Sequence, residues 1–166
     1  MTIARQKQPL ALPAGDGAHL NVLGMLVTFK AFTRDTNGAY CLFEAHISPG
    51  AVLPLHYHPA DDEGFYFLDD GFVFTLGERQ IAAGRGTYIF VPRNTIHGYQ
   101  NTGDRVGRVL VTVSPGNIHE QHFLNHSRRI ADPAAPLEEP RPEEIERYLA
   151  EAPKYGTILV PAPATR

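Results

Sequence analysis

The sequence predicts an all-β fold, a sandwich or barrel of many short strands with one or two helices at its C-terminal end. Three observations predict it. Fifteen glycines and 14 prolines are spread at short intervals along the 166 residues. Between them lie short runs rich in Val, Ile, Phe, Tyr and Thr, residues that suit a pleated, half-buried surface. No helical periodicity precedes about residue 117, which argues against an alternating βαβ arrangement.

Taken in order, the candidate strands are Leu23–Thr33, Ala39–Ile47, Gly64–Leu68, Phe72–Leu76, Gly86–Val91 and Arg105–Val113. Turn signals separate them: Asn37-Gly38, Pro49-Gly50, Asp69-Asp70-Gly71, Gly77-Glu78 and Gly103-Asp104. After Pro115-Gly116 the character changes. Asn117–Ser127 reads as a helix with Asn117 as its N-cap. A Pro- and acid-rich connector, Ile130–Arg141, follows, and a lid role for it is one expectation. A second helix runs from Pro142 to about Ala152, with Pro142, Glu143 and Glu144 suited to its first turn. Ile145, Tyr148 and Leu149 give it an apolar stripe. The tail YGTILVP reads as a short strand or a clamp along the sheet.

Bulk properties exclude several functions. A net charge of −3 and scattered basic residues give no electrostatic case for nucleic-acid binding. No stretch approaches the roughly 18 apolar residues that span a bilayer, and MTIARQKQPLALPAG lacks the apolar run of a signal peptide. With one cysteine, Cys41, no internal disulfide forms, so a reducing cytoplasmic home is expected. Cys41 sits in a strand-like run and reads as core packing.

The chemistry concentrates in two segments. In Gly50-AVLPL-His56-Tyr57-His58-PADD-Glu63, residues two apart on a strand face the same side, so His56 and His58 can grip one ion. Glu63 is an odd number of residues further on. The turn-forming Pro59–Asp62 break can return it to the same point. In Gly86-TYIFV-Pro92-Arg93-Asn94-Thr95-Ile96-His97, the turn at Pro92–Asn94 lets His97 open the next strand, opposite the first pair. Three imidazoles and one carboxylate suit one divalent transition metal (Fe, Mn, Ni, Co, Cu or Zn) and suit Ca or Mg poorly. Four protein ligands leave an octahedral ion two open positions, which leans toward catalysis.

These segments resemble the paired motifs of the cupin superfamily. Gly50, His56, His58 and Glu63 fit the first motif, and Gly86, Pro92, His97 and Asn101 fit the second. Asp70 and Asn94 stand where the family has turn glycines, and both residue types tolerate positive φ. From Leu23 to Arg129 the chain is similar to small quercetin-dioxygenase-like cupins, through DTNGAY…FEAHISPG, SPGNIHEQHF and the KYGTILVP tail. The resemblance implies a double-stranded β-helix, or jelly-roll barrel, with the metal inside, and a homodimer. It implies a single domain over residues 1–166, with a barrel core at about 20–114 and a helical extension at about 117–166.

The functional expectation is a metal-dependent dioxygenase acting, with dioxygen, on a phenolic or enolisable small molecule. Glu63 is the candidate catalytic acid/base as well as a ligand. Phe65, Phe67, Ile89 and Tyr99 are the candidate apolar cage for substrate. Alternatives on the same site are a metal-dependent isomerase, lyase or decarboxylase, and a non-catalytic metal- or small-molecule-binding protein. Asp61 and Asp62 read as a solvated turn, and His46 as a core histidine. His119, His122 and His126 read as one face of an amphipathic surface helix rather than a second metal site, although His119 or His122 could reach substrate. Glu120 reads as pointing elsewhere, and His19 as a loop residue.

Overall fold

The computed structural model describes residues 9–161. The start of the N-terminal segment and the last residues of the helical extension lie outside that range. The chain builds two antiparallel sheets that face each other across one apolar core. The strands are β1 (Ala18–Val22), β2 (Met25–Ala31), β3 (Cys41–Ile47), β4 (Val52–Tyr57), β5 (Asp62–Phe67), β6 (Phe72–Leu76), β7 (Arg79–Ala83), β8 (Tyr88–Val91), β9 (His97–Asn101), β10 (Gly107–Ser114), β11 (Arg128–Arg129) and β12 (Ile158–Leu159). One sheet runs β11-β1-β2-β3-β10-β5-β8 and the other β12-β4-β9-β6-β7. This is the double-stranded β-helix that the motifs imply.

Strict alternation places the core. In β3, Cys41, Phe43, Ala45 and Ile47 are buried while Leu42, Glu44 and His46 are not. Val109, Val111 and Val113 of β10 point the same way and lie opposite Phe67, Phe65 and Glu63 of β5. Phe65, Phe67, Phe72 and Phe74 pack edge-on or tilted at 5.0–6.1 Å between ring centroids. Each such ring contributes about 1.5–3 kcal/mol by leaving water. Burial pushes the Cys41 thiol up, so it is core, as expected, and not a nucleophile.

Several expectations are corrected. The first of the expected strands, β2, begins at Met25, not Leu23, because Leu23 and Gly24 form a two-residue hairpin turn with φ of 52° and 83°. Its partner β1, with His19 on it, was missed because AHLNV carries too few β-branched residues to stand out. The strand expected at Gly86 begins at Tyr88. The strand expected at Arg105 begins at Gly107, since Asn101 binds the Arg105 carbonyl and holds that residue in the turn. Asn94 takes φ 64°, as its place in the motif requires, whereas Gly71 rather than Asp70 supplies the positive φ after β5. His46 lies on the outer face with Glu44, 3.0 Å away.

The C-terminal elements also differ in part. Helix α1 spans Asn117–Asn125, and its N-cap is Gly116 rather than Asn117. Gly116 has φ 76°, and its N–H donates to the Asp61 carboxylate at 2.9 Å. This helix is not a surface helix: His119, Glu120, His122 and Phe123 are all buried. Glu120 accepts from Thr33 N–H (2.7 Å) and Thr33 Oγ1 (3.0 Å), tying α1 to the loop after β2. Helix α2 spans Pro142–Glu151 with Pro142 in its first turn, followed by a 3-10 turn at Ala152–Tyr155. Among its apolar stripe, Ile145 and Leu149 are more than a third exposed, and Tyr148 faces inward.

Rings join α1 to the C-terminal segment. His122 stacks between Tyr148 (3.9 Å) and Tyr155 (4.8 Å) and donates to the Tyr148 carbonyl (3.1 Å). His126 packs edge-on to both tyrosines, with Glu151 at 3.4 Å. Burial lowers His122 to about 4. A folded value below the unfolded one of about 6.5 means stability that is complete above about pH 6.5 and lost as pH falls toward 4. The midpoint of thermal unfolding should therefore fall between pH 7 and pH 4.5, and His122→Phe should shrink that difference. A variant with the full pH dependence would contradict this role.

Candidate metal centre

The site lies between the sheets. The five-stranded sheet supplies His56, on β4, and His97, which opens β9, and these two residues are direct cross-strand partners with ring centroids 4.3 Å apart. The seven-stranded sheet supplies Glu63 on β5. His58 sits on the link between the sheets, just after β4. Its carbonyl accepts the Asn94 N–H at 2.8 Å, which fastens the turn of the second motif to the first. All four predicted residues are buried, and each offers a ligand atom within 4.8 Å of the others.

Local backbone fixes the orientation. The Nδ1 atoms of His56, His58 and His97 donate to the carbonyls of Pro54 (2.7 Å), Gly156 (2.8 Å) and Thr95 (2.9 Å). Each ring is thereby held as the tautomer whose Nε2 carries a lone pair, the form that binds a metal. Beside His97, Gly98 has no room for a side chain, since a Cβ there would lie 2.7 Å from the Leu53 carbonyl oxygen. That close approach lets β4 and β9 set His56 against His97. The tail acts as the clamp the sequence suggested: β12 pairs with Tyr57 and His56 of β4, and Gly156 just before it holds His58.

The electrostatics call for a cation. Glu63 Oε2 lies 2.7 Å from His97 Nε2 and 3.3 Å from His58 Nε2, yet these three atoms are buried without a hydrogen-bond partner. With each Nδ1 bearing the proton, lone pair faces lone pair. Buried polar atoms in that condition cost about 1–3 kcal/mol each. Adjacent ligands of an octahedral ion, each about 2.1 Å from it, stand roughly 3 Å apart, which matches the spacings observed. Burial works to raise the Glu63 carboxyl, so its position well below the usual carboxylate range requires positive charge at the His58 and His97 nitrogens, which a bound cation supplies when those rings are neutral. Burial, helped by His97, lowers His56 to about 4 and keeps it neutral. The donor set fits a divalent transition metal.

An apolar cavity of about 110 Å³ opens beside the cluster. His56 and Glu63 border it, with Phe65, Tyr99, Leu53 and Val111 of the barrel and Tyr148, Leu149 and Leu159 of the C-terminal segment. Of the four residues expected to form the cage, Phe65 and Tyr99 line this cavity. Phe67 and Ile89 are buried in the core instead. No residue of the Ile130–Arg141 connector lines it. The connector packs against β1, where the Glu138 carbonyl accepts from Asn21, so the covering role falls to α2, the 3-10 turn and β12.

Two neighbours lie where the favoured sequence reading did not put them. Asp61 is buried, not part of a solvated turn, because the Gly116 N–H needs an acceptor where α1 meets the barrel. Asp62 alone is in the exposed position, paired with Arg93 at 2.9 Å. His119 is buried at the cavity wall, with its ring 4.9 Å from that of His58. His58, Asp61 and His119 form a second cluster with potential ligand atoms within 4.8 Å. The spacing of His119 and Phe123 along α1 was the available signal, but the polarity of the helix masked it.

Comparison with known proteins agrees with this picture. A family model described as a cupin domain matches residues 43–122. The chain is 31% identical over 90 residues to the tetracenomycin polyketide synthase protein TcmJ of Streptomyces glaucescens, covering 53% of this chain and 60% of that protein. It is 28% identical over 125 residues to quercetin 2,3-dioxygenase of Bacillus subtilis, covering 75% of this chain and 35% of that protein. The chain thus spans about a third to three fifths of the length of these relatives. In fold it is similar to a predicted oxalate decarboxylase of Thermotoga maritima, with a TM-score of 0.57 and 17% identity over 64% of this chain and 98% of that one.

Two outcomes test the centre. His97→Ala should lose most of the bound metal by elemental analysis while the far-ultraviolet circular dichroism stays that of the parent; full metal content would remove His97 from the site. Ending the chain after Tyr155 removes the carbonyl that orients His58 and should weaken metal binding by about 10–100-fold. Unchanged affinity would make the tail irrelevant to the site.

Proposed function

The chain belongs to the cupin superfamily, and from that premise we propose that it is a metal-dependent oxygenase of quercetin 2,3-dioxygenase-like type. Its substrate is a phenolic or enolisable small molecule. The observation that carries this reading is the placement of four convergent, buried ligand residues at the edge of an otherwise apolar cavity. The partial likeness to quercetin 2,3-dioxygenase supports it.

A metal held by His56, His58, Glu63 and His97 would supply the Lewis acidity that ionises a bound hydroxyl at neutral pH. Glu63 stands at that point as the acceptor for the released proton. Phe65, Tyr99, Leu53 and Val111 hold an aromatic or enolic ring and keep water away, which strengthens the electrostatics inside. The electron-rich anion is then the partner for dioxygen, both atoms of which enter the product as a carbon–carbon bond breaks. A single domain, a homodimer and a cytoplasmic setting belong to the same proposal. Among the described residues, no helix is long and apolar enough to cross a membrane.

A second reading is favoured by one observation: two residues able to carry protons, Glu63 and His119, border the cavity. That pair suits an isomerase, lyase or decarboxylase working through an enolate without oxygen. Oxygen-electrode screening of the metal-loaded protein with phenolic and enolisable compounds separates the two. The oxygenase reading expects one O2 consumed per molecule turned over. Turnover at an unchanged rate under argon would replace it with the second reading, and no turnover at all would leave a binding protein.

A further inference from the structure

The second cluster beside the metal position has a feature that packing alone does not explain. His119 is 8% exposed and sits among Phe43, Phe123 and the wall of the cavity. Among the described residues its Nδ1 has no hydrogen-bond partner. A buried imidazole left in that state costs stability that a phenylalanine or leucine would not. Its ring is nevertheless firmly placed. Phe43 stacks on it at 6.4 Å and 19°, and Phe123 packs at 5.1 Å and 56°. The helix that carries it is pinned at Gly116 by Asp61 and at Glu120 by Thr33. The structure therefore holds a polar ring, in fixed orientation, against the cavity and next to the metal ligands.

We propose that His119 is a substrate-binding residue, hydrogen-bonding the second of two adjacent oxygens on a compact planar substrate whose first oxygen would bind the metal. This rests on the metal-centre reading above and narrows its substrate class to catechols and ring-borne α-hydroxyketones. The geometry agrees. A nitrogen of His119 and a ligand atom of His58 lie within 4.8 Å of each other, so a small group bound beside His58 is within reach of both. The size agrees as well. The cavity of about 110 Å³ is on the order of one that takes a single benzene ring, about 150 Å³. Its wall is apolar on the remaining sides, with Phe65, Val111 and Leu53 facing the ring. An imidazole can give or receive the hydrogen bond, so it serves a hydroxyl or a carbonyl oxygen equally.

The test uses the full chain loaded with cobalt(II), titrated without oxygen against 4-nitrocatechol and 4-nitrophenol and followed by visible absorption. The two probes differ by one oxygen. His119→Phe, which keeps a ring in the aromatic packing, should weaken 4-nitrocatechol about tenfold and leave 4-nitrophenol unchanged, the loss of a single buried hydrogen bond. Cobalt content should stay that of the parent, the melting temperature should rise or hold, and His119→Asn should restore most of the affinity. Equal 4-nitrocatechol affinity in parent and His119→Phe would overturn the inference and assign both oxygens to the metal. An equal loss for both probes would also overturn it, since His119 would then act through cavity shape. If His119→Phe does not fold, His119→Leu carries the same comparison. A parent chain that takes up no cobalt refutes the metal-centre reading itself, a failure visible before any variant is made, whereas one that takes up cobalt and perturbs neither probe overturns the substrate inference alone.

Discussion

One constraint organises this protein: a buried carboxylate, Glu63, faces imidazole nitrogens that have no proton to give it. Backbone carbonyls at Pro54, Gly156 and Thr95 take the Nδ1 protons of His56, His58 and His97. Inside a core where the surrounding groups are valine and phenylalanine, lone pair against lone pair is repulsive and unscreened. A divalent cation turns the same arrangement into four favourable bonds. The cluster could therefore hold a metal ion, a charge that its own side chains do not supply.

The rest of the architecture serves that point. Two sheets are needed, because His56 and His97 come from one and Glu63 from the other. The link at His58 is fastened by the Asn94 N–H, and the C-terminal tail closes over the same residue. Residues more than 90 positions apart in sequence therefore meet at one imidazole. The packing of Phe65 and Phe74 against His97, and of Tyr99 against Phe65, then fixes the cavity wall beside the cluster.

The convergence of His56, His58, Glu63 and His97 was legible in the sequence because strand geometry makes spacing informative. His56 and His58 are two apart, a turn follows, and His97 comes after a second turn; this pattern has few readings. The alternation in β3 and β10 made the core legible in the same way. What surrounds the site was not. Asp61 and Asp62 are adjacent and alike in composition, yet one is buried under α1 and the other paired with Arg93 on the surface. That difference arises where α1 docks, a tertiary event that local pattern does not encode. Glu120 and His119 were hidden for the same reason: a polar helix reads as solvated unless the acceptors and donors it will meet, such as Thr33, are known. His97, with a motif around it, was placed; His119, with only a helix, was read first as a surface residue and only second as one that could reach substrate.

The central claim is that Glu63 and three histidines share one transition-metal ion. X-ray absorption at the metal edge of the purified protein measures this most directly. The account predicts one metal per chain, surrounded by nitrogen and oxygen at about 2.0–2.2 Å with the multiple-scattering signature of three imidazoles. A metal-free protein, or a bound ion whose spectrum lacks imidazole, would contradict it.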